Sequence, residues 1–234
     1  AYGRDLEADP QRATRLAEEA QNLTHAGAVA SSWKHHTRHY TLPEEVTEDD
    51  IAINRHVANT LRHARPADNI LTEEDGYQPG CGNENGDPGQ GWTWVCDPID
   101  GTYSYRVGLE LACFSLALCY DGQPQVAVAA TYGHQPETYW AIRGQGAWAK
   151  PHGATLDESA RTTVHTNPHP ADGVDISCGE RNGAVIWRLT SAGIRATRCQ
   201  SSVRGGLLTV AGRNAGWVAD GAKAWDISWC SAFG

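Results

Sequence analysis

The chain has 234 residues, with 28 Asp and Glu against 19 Lys and Arg and a formal charge of −9. It has no Lys/Arg-rich run, which argues against a nucleic-acid binder, and an anionic substrate would need metal ions to offset the repulsion. No apolar stretch approaches a membrane span, the N-terminus lacks a signal-peptide pattern, and seven scattered cysteines form no CxxC pair, so a cytoplasmic protein without a disulfide framework is expected.

In chain order, Leu16, Ala20 and Leu23 at helical spacing predict an amphipathic helix from Gln11 to about Ala30. Lys34 to Tyr40, with three histidines, reads as a solvated basic loop from which Lys34 or Arg38 could reach a phosphate. Thr47 opens a second helix, with Asp50 three residues on in a capping-box arrangement and Ile53, Val57 and Leu61 as its buried stripe. Ile70-Leu71 begins a short strand that runs into Thr72-Glu73-Glu74-Asp75-Gly76. Tyr77 to Gly91, rich in Gly, Pro, Asn and Asp, is expected to be a flexible loop, a lid or an interface element.

Trp92 to Cys96 reads as a buried strand leading into Asp97-Pro98-Ile99-Asp100-Gly101-Thr102-Tyr103-Ser104. Hairpins follow: Leu111 to Tyr120 and Val126 to Tyr132 around Asp121-Gly122, then Thr138 to Ile142 and Ala147 to Lys150 around Gly144-Gln145-Gly146. The second half alternates strand, helix, strand, helix, strand over Val174–Cys178, Asn182–Ala192, Ala196–Cys199, Val203–Val210 and Gly216–Ala219. Trp225-Asp226 then opens a last helix. Cys113, Cys119 and Cys199 lie in apolar runs and are expected to be buried thiols. No linker-like break appears. Mixed α/β layers in a single domain over 1–234 are expected, with an α+β part over about 1–150 and an α/β part over about 151–234.

The chemistry concentrates at element ends. Asp97 and Asp100 are three residues apart, joined through a proline and closed by Gly-Thr, at the carboxyl end of a strand, where open α/β sheets place ligands. A hard divalent cation wants such an oxygen cluster. Taken singly, this turn could be a solvated Asp-Pro turn, Glu73 and Glu74 surface acids, and Asp226 a helix cap. Together they match a two-metal phosphate site, in which carboxylates hold ions about 3.5–4 Å apart.

On these motifs the chain resembles the inositol monophosphatase family of Mg²⁺-dependent, lithium-sensitive phosphatases. Asp-Pro-Ile-Asp-Gly-Thr stands intact at Asp97 to Thr102, Gly-Glu-Glu appears as Thr72-Glu73-Glu74, Val-Thr-x-x-Asp as Val46 to Asp50, and Trp-Asp as Trp225-Asp226. The resemblance implies an αβαβα sandwich, a homodimer, and hydrolysis of a small polyol, sugar or amino-alcohol phosphate of the inositol-phosphate or histidinol-phosphate type. It implies one Mg²⁺ on Glu73, Asp97, the Ile99 carbonyl and the Thr102 hydroxyl, a second on Asp97, Asp100 and Asp226, and a third, weaker one near Glu73. Mn²⁺ would substitute, and Li⁺ and Ca²⁺ would inhibit. Asp50 with Thr102 would orient and help deprotonate the attacking water, and the N–H groups of Gly101 and Thr102, beside Asp100, would bind phosphate. The alternatives are a 3′(2′),5′-bisphosphate nucleotidase, a fructose-1,6-bisphosphatase, or a regulatory binding protein on the same fold.

Departures from the family pattern fall where substrate is chosen. Ala219 replaces a Glu seven residues before Asp226, and the neighbouring Asp220 is expected to take over its contact. Gln200-Ser201-Ser202 replaces Gly-Ser/Thr-Ala, so Ser201 and Ser202 are expected to line the pocket. Methionine is absent throughout, and the family pattern carries one more residue between Ala211 and Gly212.

Overall fold

The computed structural model describes residues 8–24, 30–34, 44–83, 86–87, 89–154, 162–164, 166, 174–177, 182–219 and 221–233. Helix α1 (Ala8–Leu23) buries Ala13, Leu16, Ala17 and Ala20 along one face. Its last residue is Leu23, short of the expected Ala30, and residues 25–29 lie outside the described residues. Instead Ala30–Lys34 forms strand β1, paired antiparallel with β2 (Glu44–Thr47). The histidines of the expected basic loop and Arg38 lie outside the described residues.

Helix α2 (Glu48–Ala64) starts as its sequence dictates. Thr47 is the N-cap, its hydroxyl accepting from the Asp50 N–H while the Asp50 side chain accepts from the Thr47 N–H. Strands β3 (Asn69–Thr72), β4 (Gly76–Gln78), β5 (Trp92–Asp100), β6 (Cys113–Tyr120), β7 (Gln123–Thr131), β8 (Glu137–Ile142), β9 (Gly146–Pro151) and β10 (Thr162–Thr163) make one eight-stranded sheet, ordered β10-β9-β8-β7-β6-β5-β3-β4. Only β3 and β5 pair in parallel; the other neighbours are antiparallel. A short helix α3 (Thr102–Arg106) follows β5.

The segment expected to be a flexible loop from Tyr77 to Gly91 differs from that expectation. It opens as β4, and the buried Asn69 side chain holds three of its described residues: its Oδ1 accepts from the Gly80 N–H and from Asn83 Nδ2, and its Nδ2 donates to the Gln90 carbonyl, each at 3.0 Å. One buried amide with both ends engaged supplies the order that the Gly/Pro composition concealed.

The second half forms a parallel three-stranded sheet of β11 (Val174–Ser177), β12 (Ala196–Cys199) and β13 (Gly216–Ala219), ordered β12-β11-β13. Helices α4 (Asn182–Ser191) and α5 (Ser202–Val210) connect its strands, and α6 (Ala224–Ile227) leads to a 3₁₀ turn at Cys230–Ala232. Helices α1 and α2 cover one face of the large sheet; α5 and α6 cover the other. Helix α5 also lies against the small sheet, and α4 packs on β11 and β12, which gives the expected αβαβα layering. Alternating side chains of the central strands feed two cores. Trp94, Phe114 and Leu116 meet Leu16, Ile53 and Leu61 on one side, and Val95, Ala117 and Ala129 meet Val203, Leu207 and Trp229 on the other. Cys113, Cys119 and Cys199 are buried thiols, as their apolar surroundings predict. Among the described residues no helix is long and apolar enough to cross a membrane.

Candidate active site

Strand register builds the acidic site. Thr72, the last residue of β3, pairs with Cys96 of β5, so the residues that follow, Glu73 and Asp97, are brought close; the Glu73 N–H donates to the Cys96 carbonyl at 3.1 Å. On the other side Asp97 pairs with Ser115 and Asp100 with Cys113, so two residues, Pro98 and Ile99, face one, Phe114. A proline has no N–H for the ladder and is tolerated at such a bulge, which re-aims the strand's carboxylates. Ser115 Oγ donates to the Trp225 carbonyl at 2.9 Å and so holds the start of α6 over β6. That contact brings in Asp226, whose Oδ2 accepts from the Lys223 N–H at 2.6 Å.

Carboxylate oxygens of Asp97, Asp100 and Asp226 come within 4.8 Å of one another. Asp100 is held from behind: its Oδ2 accepts from Ser201 Oγ at 2.5 Å and from the Val203 N–H at 2.6 Å. Asp97 is buried, and its Oδ1 has no hydrogen-bond partner. A buried carboxylate oxygen left unpartnered among other carboxylates costs free energy unless a cation completes it. Glu73 stands outside this close group, yet its charge is the largest acting on Asp97. Asp97 is held well above the usual carboxylate range by burial first, then by the charges of Glu73, Asp100 and Asp226. Burial and then the Asp226 charge push Asp100 up to about 8, against the pull of the Ser201 and Val203 hydrogen bonds. A set of three to four acids that resist ionising together is what a hard divalent ion would relieve.

Asp50 lies beside this cluster, buried at the start of α2. Its Oδ2 accepts from Thr47 Oγ1 at 2.5 Å and from the Thr47 N–H at 2.6 Å. Its Oδ1 faces the Thr102 hydroxyl at 3.4 Å, and that hydroxyl is 3.0 Å from the Ile99 carbonyl. Burial pushes Asp50 up to about 7; the two Thr47 contacts oppose the shift, and the Glu74 and Glu73 charges add to it.

Gly101 joins the halves. Its φ of +86° favours glycine, and a Cβ there would meet the Ser201 Cβ at 3.0 Å and the Gln200 carbonyl oxygen at 3.1 Å. The start of α3 can therefore press against the start of α5.

The structure thus gathers Asp97, Asp100 and Asp226, with Glu73, Asp50, Ile99, Gly101 and Thr102 around them. Ser201 is at the site, but its hydroxyl is engaged with Asp100 and with the Arg204 N–H (2.9 Å), as the N-cap of α5. Ser202 is buried at the first turn of α5, and Asp220 lies outside the described residues. Two tyrosines that no sequence motif marks also reach the site. Tyr132 Oη donates to the Pro98 carbonyl at 2.7 Å, and Tyr105 Oη donates to Asp49 Oδ2 at 2.5 Å. Their partners lie 34 and 56 residues away, so no local pattern could signal them.

Comparison with known proteins places this geometry. Histidinol-phosphatase of Mycobacterium tuberculosis is 34% identical over 146 residues, 62% of this chain and 52% of that protein, so the chain matches only about half of the relative's length. The solved Thermotoga maritima IMPase superposes with a TM-score of 0.75 over 95% of this chain and 80% of its own, at 21% identity. A solved IMPase/NADP phosphatase complexed with Mg²⁺ and phosphate gives a TM-score of 0.65 at 22% identity, over 86% of this chain and 70% of that one. The profile of the inositol monophosphatase family matches residues 9–228, a span that holds every carboxylate described above, and the chain belongs to that family.

Proposed function

We propose that the chain is a Mg²⁺-dependent phosphomonoesterase acting on a small polyol, sugar or amino-alcohol phosphate. The observation that carries this is the buried, unpartnered Oδ1 of Asp97 within the Asp97, Asp100 and Asp226 cluster. The name of the M. tuberculosis relative puts histidinol phosphate first among substrates to try, beside inositol phosphate. Glu73, Asp97, the Ile99 carbonyl and the Thr102 hydroxyl would hold one ion, and Asp97, Asp100 and Asp226 a second, with a third, weaker one near Glu73. When bound, the ions would acidify a water and neutralise charge developing on the phosphoryl oxygens.

The chain's own groups do the rest. Asp50 presents Oδ1 toward Thr102 because Thr47 occupies Oδ2, and this pair orients the attacking water. With its proton affinity raised to near neutrality, Asp50 suits the role of acceptor for that water's proton. The N–H groups of Gly101 and Thr102 would bind the phosphate, and no covalent intermediate is required. A cytoplasmic homodimer, with Mn²⁺ as a substitute ion and Li⁺ and Ca²⁺ as inhibitors, completes the proposal.

The test is phosphate release from inositol 1-phosphate, histidinol phosphate, 3′-phosphoadenosine 5′-phosphate and fructose bisphosphate, with Mg²⁺ and with chelator. Mg²⁺-dependent release is expected, and Asp100→Asn should lower it by at least about a hundredfold, the scale of a lost electrostatic group at a transition state. Undiminished turnover in Asp100→Asn would sink the assignment.

A further inference from the structure

We propose that the Tyr105–Asp49 hydrogen bond is a clamp that positions Thr102 against Asp50; the inference rests on the phosphatase reading above. The Thr102–Asp50 contact joins two unequal elements. Helix α2 is 17 residues long and anchored in the core by Ile53, Val57 and Leu61, whereas α3 is five residues long and enters from the left-handed Gly101. A helix that short has no stability of its own and takes its position from its contacts.

Its polar ties to the body can be followed residue by residue. Tyr103 is half exposed, with Arg106 over its ring at 5.5 Å. Ser104 is buried, with an Oγ that finds no partner. Thr102 itself reaches Asp50 at 3.4 Å, too long to lock a geometry. Tyr105, three residues on and so on the same face of the turn, donates to Asp49 at 2.5 Å, within the range of a phenol on a carboxylate. Asp49 is the residue next to Asp50, so this bond fixes α3 to the same turn of α2 that carries Asp50.

A second support comes from below. The Tyr105 ring meets the Tyr132 ring edge-on, with centroids 5.7 Å apart, and Tyr132 donates to the Pro98 carbonyl. The next carbonyl along, that of Ile99, accepts from Thr102. The two phenols therefore hold Thr102 from both ends: through α2 by way of Asp49, and through the end of β5 by way of Pro98. A merely structural tyrosine would place its hydroxyl on any nearby acceptor. Here the acceptor is adjacent to the proposed proton acceptor, so removing one oxygen lets α3 shift relative to Asp50 without opening a cavity.

The experiment is Tyr105→Phe, which keeps the ring, together with Asp49→Ala and the double variant, studied in the full chain. In Tyr105→Phe, kcat should fall about tenfold, as misplacement by a fraction of an ångström predicts. KM and the calorimetric Mg²⁺ affinity of the metal-free protein should weaken by a smaller factor than kcat falls, because Thr102 also belongs to the proposed ion and phosphate sites. Amide exchange over residues 102–106 should accelerate while residues 53–61 of α2 stay protected. Asp49→Ala should match Tyr105→Phe, and the double variant should be no worse than either. Wild-type kcat with unchanged exchange at 102–106, additive losses, or exchange accelerated throughout α2 would each overturn the clamp. Should wild type release no phosphate from any substrate tried, the phosphatase reading falls, and the exchange data alone decide the clamp.

Discussion

Ser201 illustrates how one hydroxyl can serve fold and chemistry together. It accepts from the Arg204 N–H as the N-cap of α5 and donates to Asp100 Oδ2. The donated bond favours the ionised form of Asp100 and so opposes the burial that raises it. Ser201→Ala should therefore do two things. Stability should fall by about 1–2 kcal/mol from the lost cap. Asp100 should also hold its proton more tightly than in wild type, where it is already pushed up to about 8, so Mg²⁺ must displace that proton and binds more weakly at pH 7. Calorimetric titration should show a loss of affinity at pH 7 that shrinks by pH 9. A loss equal at both values would mean that the hydroxyl acts on shape alone.

Among elements, those whose signals are local were legible and those built from distant partners were not. The capping box of α2 spans Thr47 to Asp50, three residues, and forms as its sequence predicts. The hairpin turn at Asp121-Gly122, both with positive φ, and the alternating strands of the second half are equally local. The β1–β2 pairing joins segments flanking a polar stretch, and nothing in either marks the other. The sequence places Ser201 and Ser202 near the site, but nothing local in it shows that the Ser201 hydroxyl is engaged with Asp100.

The contact between α5 and the chain end was also invisible, and it carries a prediction. A Cβ on Gly206 would sit 2.7 Å from Trp229 Cζ2, and Trp229 is fully buried. Gly206→Ala should cost about 1–3 kcal/mol from overpacking, seen as a lower Tm. Trp229 Nε1 also donates to the Asp226 carbonyl at 2.8 Å, so displacing the ring should weaken Mg²⁺ binding. Adding Trp229→Phe should recover part of the loss relative to the sum of the two single changes, whereas simple additivity would show that the ring and the glycine do not meet.

At the scale of the whole molecule, the layers converge on a site that opposes folding unless a cation is present. Asp97 and Asp100 arrive on β5 of the large sheet and Asp50 on α2, and burial raises the proton affinity of all three. In the unfolded chain such carboxyls ionise near pH 4. Between that pH and the folded values of about 7 for Asp50 and about 8 for Asp100, the folded state binds more protons than the unfolded one. Stability from these groups is thus fully present below about pH 4 and is lost as pH rises through 7 and 8, by a few kcal/mol for each strongly shifted group. Metal-free protein in chelator should accordingly show a Tm contribution that declines from pH 5 to pH 8. Asp100→Asn, which keeps the shape but removes one ionisation, should flatten that decline. On the proposed function Mg²⁺ binds the ionised cluster, so the Tm gain on adding it should grow over the same interval, following the logarithm of its concentration over Kd. A chelated wild type and a chelated Asp100→Asn with the same pH slope would show that Asp100 ionises in the folded chain as freely as in the unfolded one. The acidic centre would then be an ordinary solvated surface rather than a site shaped for a cation.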